Sequence, residues 1–140
     1  MQKAIVSWSS GKDSAWALHE IRRAGALEVV GLLTTVTSEF GRVSMHAVRE
    51  ELLDLQAASL GLPCRKVRIP WPCPNETYEA EMAPALAEDA LSTVGRVDLA
   101  AARAGEALEC ALRIGRRGQT AWARLLLAQI AERRGDRATA

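Results

Sequence analysis

Three cysteines occur in 140 residues, and no two of them form a C-x-x-C pair. Cys64, Cys73 and Cys110 are isolated and odd in number, which argues against a disulfide framework and against a zinc site. They read as small core or surface thiols in a reducing compartment. Long apolar runs are missing: the uninterrupted hydrophobic stretches extend over only a few residues, far short of a membrane span. The N-terminal run Ala4–Val6 is also too short for the apolar segment of a signal peptide. A cytoplasmic location with no membrane partner is the resulting expectation. Excess charge of one sign is absent too, since 18 Lys and Arg stand against 17 Asp and Glu for a net charge of +1. No global field draws such a chain to nucleic acid, so any anion site has to be local. Nor does the chain contain the GxxxxGK[ST] spacing of a Walker A loop.

What is present is a soluble globular composition, 49% hydrophobic and 25% charged. Its length fits one ordinary domain, or a small domain with an appendage. Lys3–Ser7 reads as a short buried strand and Asp13–Ala24 as a helix, with Ala15, Leu18, Ile21 and Arg22 at helical spacing and Gly25 as its stop. Leu27–Val36 is apolar and β-branched, a strand covered on both faces. A loop containing Gly41 follows. Ala47–Leu60 reads as a second helix that buries Val48, Leu52, Leu55 and Ala58 and ends at Gly61. Arg65–Ile69 is a third strand. Pro70, Pro72 and Pro74 then interrupt regular structure, and Asn75 caps a third helix from Glu76 to about Leu91.

Strands alternating with helices imply an open parallel α/β sheet, with ligands at the carboxyl ends of the strands. After residue 92 the strands stop. Val97–Ile114 and Gln119–Arg134 read as helices flanking the turn GRRG at 115–118. In this tail Leu127, Ala128, Ala131, Gly135 and Ala140 lie at offsets resembling the first helix of a tetratricopeptide repeat. Ala104, Leu108 and Ala111 resemble the second helix, and VDLAAA (97–102) and GDRATA (135–140) are loosely self-similar. The other reading is an ordinary helical hairpin. A single repeat cannot bury its own face, so the tail is expected to dock on a protein partner or on a second copy.

The segment SSGKDS, Ser9 to Ser14, falls between the first strand and the first helix. Gly11 can take a crowded conformation. The first N–H groups of the helix point back at this loop, and the macrodipole adds positive potential there. Ser9, Ser10 and Ser14 add hydroxyls and Lys12 a mobile cation, which together suit a phosphate or pyrophosphate. Asp13 fits either a helix cap or a contact to a magnesium ion that arrives with a nucleotide. The alternative for the whole segment is a polar capping turn.

SSGKDS resembles the SGGKDS signature of the PP-loop ATP pyrophosphatases, with Ser10 in place of the first glycine. That replacement is tolerable where φ is negative. VSWSSGKDSAWALHEI, RVSMHAVREELLDLQAASLGLP and PCPNETYEAEM, taken in order, resemble the diphthine–ammonia ligase-like branch over about residues 3 to 92. The resemblance implies a Rossmann-like (HUP-type) parallel sheet of about three strands flanked by helices, with the helical hairpin appended. It implies ATP and Mg2+ as ligands, with Ser9, Ser10, Gly11, Lys12, Asp13 and Ser14 at the phosphates. It also implies adenylation of a carboxylate with release of pyrophosphate, then attack by ammonia. The carboxylate itself is not specified. Relatives of this branch continue with further strands, one of them carrying an acidic GD block, that do not appear here. The expectation is therefore a truncated ATP-binding α/β domain at 1–92 and a helical, tetratricopeptide-like tail at 93–140. The missing strands leave a second functional reading, a non-catalytic interaction module built on a remnant nucleotide-binding sheet.

His46 and Arg49 lie three apart on the first turn of the second helix, so they are expected to share a face. His46 could donate to a nucleotide and Arg49 could grip a phosphate or carboxylate. The plainer reading is a capping histidine and a solvated arginine. Thr34, Thr35 and Thr37 read as β-branched strand residues, and Trp8 and Trp16 as packing anchors.

Overall fold

The computed structural model describes residues 1–135. Contacts divide the chain into two compact units, Met1–Cys73 and Pro74–Ala140. The first unit runs β1 (Gln2–Ser7), α1 (Lys12–Ala24), β2 (Leu27–Thr37), β3 (Arg42–Val43), α2 (Glu50–Leu60) and β4 (Cys64–Ile69). Strand β2 pairs in parallel with β1 and β4, and antiparallel with β3. Leu32 and Leu33 pair with both β1 and β4, so these two strands occupy opposite edges of β2. Val36 and Thr37 pair with both β3 and β4, so β3 lies on the same edge as β1, beyond its carboxyl end. The three parallel strands follow the expected order. The two-residue strand β3 falls in the expected loop, because two residues are too few to show any periodicity.

Helices α1 and α2 pack on one face of this sheet. Val6, Trp8, Leu32, Val36 and Val43 meet Leu18 of α1 and Leu53 and Ala57 of α2 there. Trp8 is 5% exposed, and its indole N–H donates to Gln56 Oε1 at 3.1 Å, as suits a buried anchor. Trp16 is not such an anchor: it is 65% exposed and stacks on His19 with ring centroids 5.3 Å apart. Among the described residues β1 pairs only with β2, which makes it an edge strand. Its first residues, Gln2 and Lys3, are exposed and polar, which discourages further pairing.

Helix α2 differs from the expectation in its start and in its buried face. Ala47 has φ 51° and so stands outside the helix, which begins at Glu50 with Arg49 as N-cap. Leu53 is fully buried, whereas Leu52 and Leu55 are exposed. The sequence holds two apolar stripes on this helix, and electrostatics selects between them. Glu50, Leu53, Ala57 and Leu60 recur at helical spacing, so the carboxylate and the buried residues share one face. Glu50 accepts from Lys66 Nζ at 3.0 Å and from Arg68 Nη2 at 2.7 Å, both on β4. Lys66 also reaches Asp54 at 2.6 Å. The Arg68 guanidinium, then the Lys66 ammonium, hold the Glu50 carboxyl down at about 2.

The second unit is helical: α3 (Asn75–Ser92), α4 (Val97–Arg113) and α5 (Arg117–Arg134). Ala87 and Ala90 of α3 meet Ala100 and Ala104 of α4, with Leu126 and Ile130 of α5 filling the remaining space. Small residues let the helices approach closely. Arg113 pairs with Glu79 at 2.9 Å, and the Trp122 indole donates to Glu88 at 3.0 Å. Helix α3 thus groups with the helices that follow it. Pro74, not Asn75, is the N-cap of α3, and no side chain caps it. Helices α4 and α5 form the expected hairpin. Ala140 and residues 136–140 of the GDRATA segment lie outside the described residues. No helix among the described residues is long and apolar enough to cross a membrane.

Two measurements check this assignment. Leu53→Ala is expected to cost about 2–5 kcal/mol in chemical denaturation, and Leu55→Ala no more than about 0.5 kcal/mol. The stability contributed by Glu50 is complete above its ordinary 4.5 and is lost as pH falls toward about 2. Wild type should therefore lose stability over that interval by more than Glu50→Gln does. The difference at neutral pH is roughly 0.5–1 kcal/mol per partly exposed pair.

Candidate functional site

Strand β1 ends at Ser7, and the Trp8 N–H still donates to Leu33 O of β2 at 2.7 Å. The chain then leaves the sheet, turns through Ser9, Ser10 and Gly11, and enters α1 at Lys12. Two of the three serines hold this turn. Ser9 Oγ accepts from the Gly11 N–H at 3.3 Å and lies 3.1 Å from Ser14 Oγ. Ser14 Oγ donates to Gly11 O at 3.0 Å, beside the first helical bond, Ala15 N–H to Gly11 O at 3.2 Å. Ser14 is buried, while Lys12 and Asp13 are exposed at the helix start.

The N-cap of α1 is Gly11, so no side chain caps the helix. The N–H groups of Lys12, Asp13 and Ser14 therefore open onto the loop with the positive end of the helix dipole behind them. Ser10 supplies a further polar group, because its Oγ is buried and has no hydrogen-bond partner. The donor set suits phosphate oxygens, which accept from N–H, hydroxyl and ammonium groups alike.

Ser10 has φ 63°. The negative φ that would make serine a mild replacement for the motif's glycine is thus not what the loop adopts. A side chain in the left-handed region costs about 1–2 kcal/mol, and here it also strands a hydroxyl. Gly11 needs glycine for another reason. Its backbone is extended, at φ −100° and ψ 173°, but a Cβ there would lie 2.8 Å from His46 Nε2. The imidazole packs directly against the N-cap of α1.

The structure therefore brings Ser9–Ser14 and His46 together. Arg49 does not share a helix face with His46, because both precede α2. It lines a separate hollow of about 480 Å3 with Phe40, Arg42, Glu50, Glu51 and Asp54. The threonines have strand roles: Thr34 and Thr37 are buried, and Thr35 O accepts the Ser44 N–H at 3.0 Å. Arg42 escaped notice in the sequence. Its Nη1 donates to Ala47 O at 2.7 Å, beside His46, and no local pattern marks such a contact. Among the described residues no group of three or more His, Cys, Asp or Glu side chains could hold a metal ion. Burial raises the Cys64 thiol above its ordinary range, away from the thiolate form.

A mixed sheet with three parallel strands and a donor-lined turn between its first strand and helix defines an α/β protein with a loop after β1 at its candidate site. The family model of the diphthamide synthase N-terminal domain matches residues 2–106, and the chain belongs to that family. The family is of the PP-loop, ATP-utilising type. The match takes in the first unit, α3 and the first part of α4, beyond the residue 92 at which the sequence resemblance stopped. No curated protein and no solved structure gives a match.

Ser10→Gly removes both the left-handed side chain and the orphaned hydroxyl. It is expected to leave stability unchanged or raise it by up to about 1 kcal/mol, after the added entropy of an unfolded glycine. Ser10→Val, β-branched in the same conformation, should destabilise the first unit. Thermal unfolding of the two variants beside wild type decides this.

Proposed function

We propose that this chain binds ATP through the loop Ser9–Ser14 and belongs to the amide-forming ligases. The observation that carries the reading is the uncapped start of α1, with three open N–H groups and an unpartnered Ser10 hydroxyl, in a member of an ATP-utilising family. The N–H groups of Lys12, Asp13 and Ser14 take phosphate oxygens, and the Lys12 ammonium supplies mobile positive charge. Asp13, exposed beside them, is the carboxylate available to a magnesium ion that accompanies the nucleotide.

The reaction proposed is attack of a substrate carboxylate oxygen on the α-phosphorus. The bond to the bridging oxygen breaks and pyrophosphate leaves. Ammonia then attacks the acyl carbon, and AMP departs with the electrons of the carbon–oxygen bond. Donors fixed in the loop before the substrate arrives suit the charge that develops on the α-phosphate and on the leaving group.

Calorimetry with ATP, with and without magnesium, tests the reading. Lys12→Ala is expected to weaken binding about tenfold or more, the loss of one charge-assisted contact. Equal affinity for variant and wild type would overturn the loop assignment. Release of AMP and pyrophosphate with an added carboxylate and ammonium checks the ligase step, and no turnover with any carboxylate counts against it.

A further inference from the structure

Among the described residues Ala47 is the other non-glycine residue with positive φ, at 51°. Alanine gains nothing from that conformation, so its neighbours must impose it. The Ala47 N–H donates to Val43 O at 2.9 Å, and the Val43 N–H donates to Val48 O at 2.8 Å, which closes the turn after β3. The Arg42 guanidinium adds a charge-assisted bond to Ala47 O at 2.7 Å. The residue carried on this clamped turn is His46, whose Nε2 packs against Gly11. The His46 side chain is exposed, and among the described residues it forms no hydrogen bond. Two strained residues, Ser10 and Ala47, therefore sit next to the two partners of a single contact.

We infer that Arg42 is a positioning residue. By clamping Ala47 in the left-handed conformation it holds the His46 imidazole over the start of α1, where the ring donates to a phosphate of ATP bound in the loop. The inference rests on the ATP reading above. Without the guanidinium, only the two backbone bonds of the turn oppose relaxation of Ala47 to negative φ, which turns the preceding residue away from the loop. Glycine at position 47 removes that drive, because it adopts positive φ at no steric cost.

The test is ATP calorimetry on the full chain, with NMR of the histidine rings. The protein has two histidines, so the His46 signals need separating only from those of His19. Arg42→Ala and His46→Ala are each expected to weaken ATP binding about fivefold to tenfold, the scale of one hydrogen bond to a charged group. The double variant should be no weaker than either single one. Adding Ala47→Gly to Arg42→Ala should restore most of the affinity, a rescue that a purely structural arginine would not allow. The His46 ring signals should shift with ATP in wild type and stay still in Arg42→Ala.

Wild-type affinity in Arg42→Ala, multiplied losses in the double variant, or no rescue by Ala47→Gly would each overturn the inference. Where Arg42→Ala alone does not fold, the Arg42→Ala/Ala47→Gly chain carries the test. Near wild-type affinity in that chain supports the clamp, and a loss equal to that of His46→Ala overturns it. Lys12→Ala keeps the two readings apart. If it binds like wild type, the loop assignment falls; if it weakens binding while Arg42→Ala does not, only the positioning role falls. A wild-type chain with no measurable affinity for ATP overturns both.

Discussion

Strand β2 carries every backbone ladder of the sheet, and the geometry of the candidate site follows from how its two edges are shared. One edge takes β4; the other takes β1 first and then β3. Because β3 runs antiparallel and ends at Val43, toward the carboxyl end of β1, the turn leaving β1 and the turn leaving β3 meet at that end of the sheet. That meeting is what sets His46 against Gly11. In open α/β sheets ligands bind at the carboxyl ends of the strands, and here two separate stretches of chain are brought to that end by one strand's hydrogen bonds.

The interior of the first unit depends on charge as well as on apolar burial. Two leucine stripes run along α2, and both could have faced the sheet. The carboxylate at Glu50 lies on one stripe only, and the cations of β4 that it meets turn that stripe inward. The ion pairs are partly exposed and individually modest, but a choice between two otherwise similar faces needs only a modest bias. In the helical unit the selection is steric. Alanines at the contacts of α3 and α4 leave room for close approach, and the larger Leu126 and Ile130 of α5 fill what remains.

Backbone strain is concentrated where the proposed chemistry lies. Among the described residues Ser10 and Ala47 are the two non-glycine residues with positive φ, and each adjoins a partner in the contact between Gly11 and His46. Such conformations persist only where surrounding structure holds them. For Ala47 the holding groups are visible: Arg42 and the closed turn after β3. For Ser10 the neighbouring Ser9 and Ser14 brace the turn while the Ser10 hydroxyl stays without a partner. A buried polar group left open in an otherwise braced loop is consistent with the anionic ligand proposed for it.

The alternation of strand and helix, the position of SSGKDS between the first strand and helix, and the glycine stops at Gly25 and Gly61 were all legible in the sequence, because each depends on residues close together in the chain. So was the membership of an ATP-utilising family, which short ordered motifs carry. The buried face of α2, the exposure of Trp16, the positive φ of Ser10 and the clamp of Arg42 on Ala47 were not legible. A local pattern shows that a helix has an apolar face but not which of two faces a distant cation selects. It shows that serine stands in a glycine's place but not the dihedral angle that its neighbours impose. By itself the sequence determined the alternation of strand and helix and the family, since these rest on short-range propensity and ordered motifs. Only the tertiary structure decided what faces the loop after β1, because β1 and β3 come together through a strand that is remote from both turns.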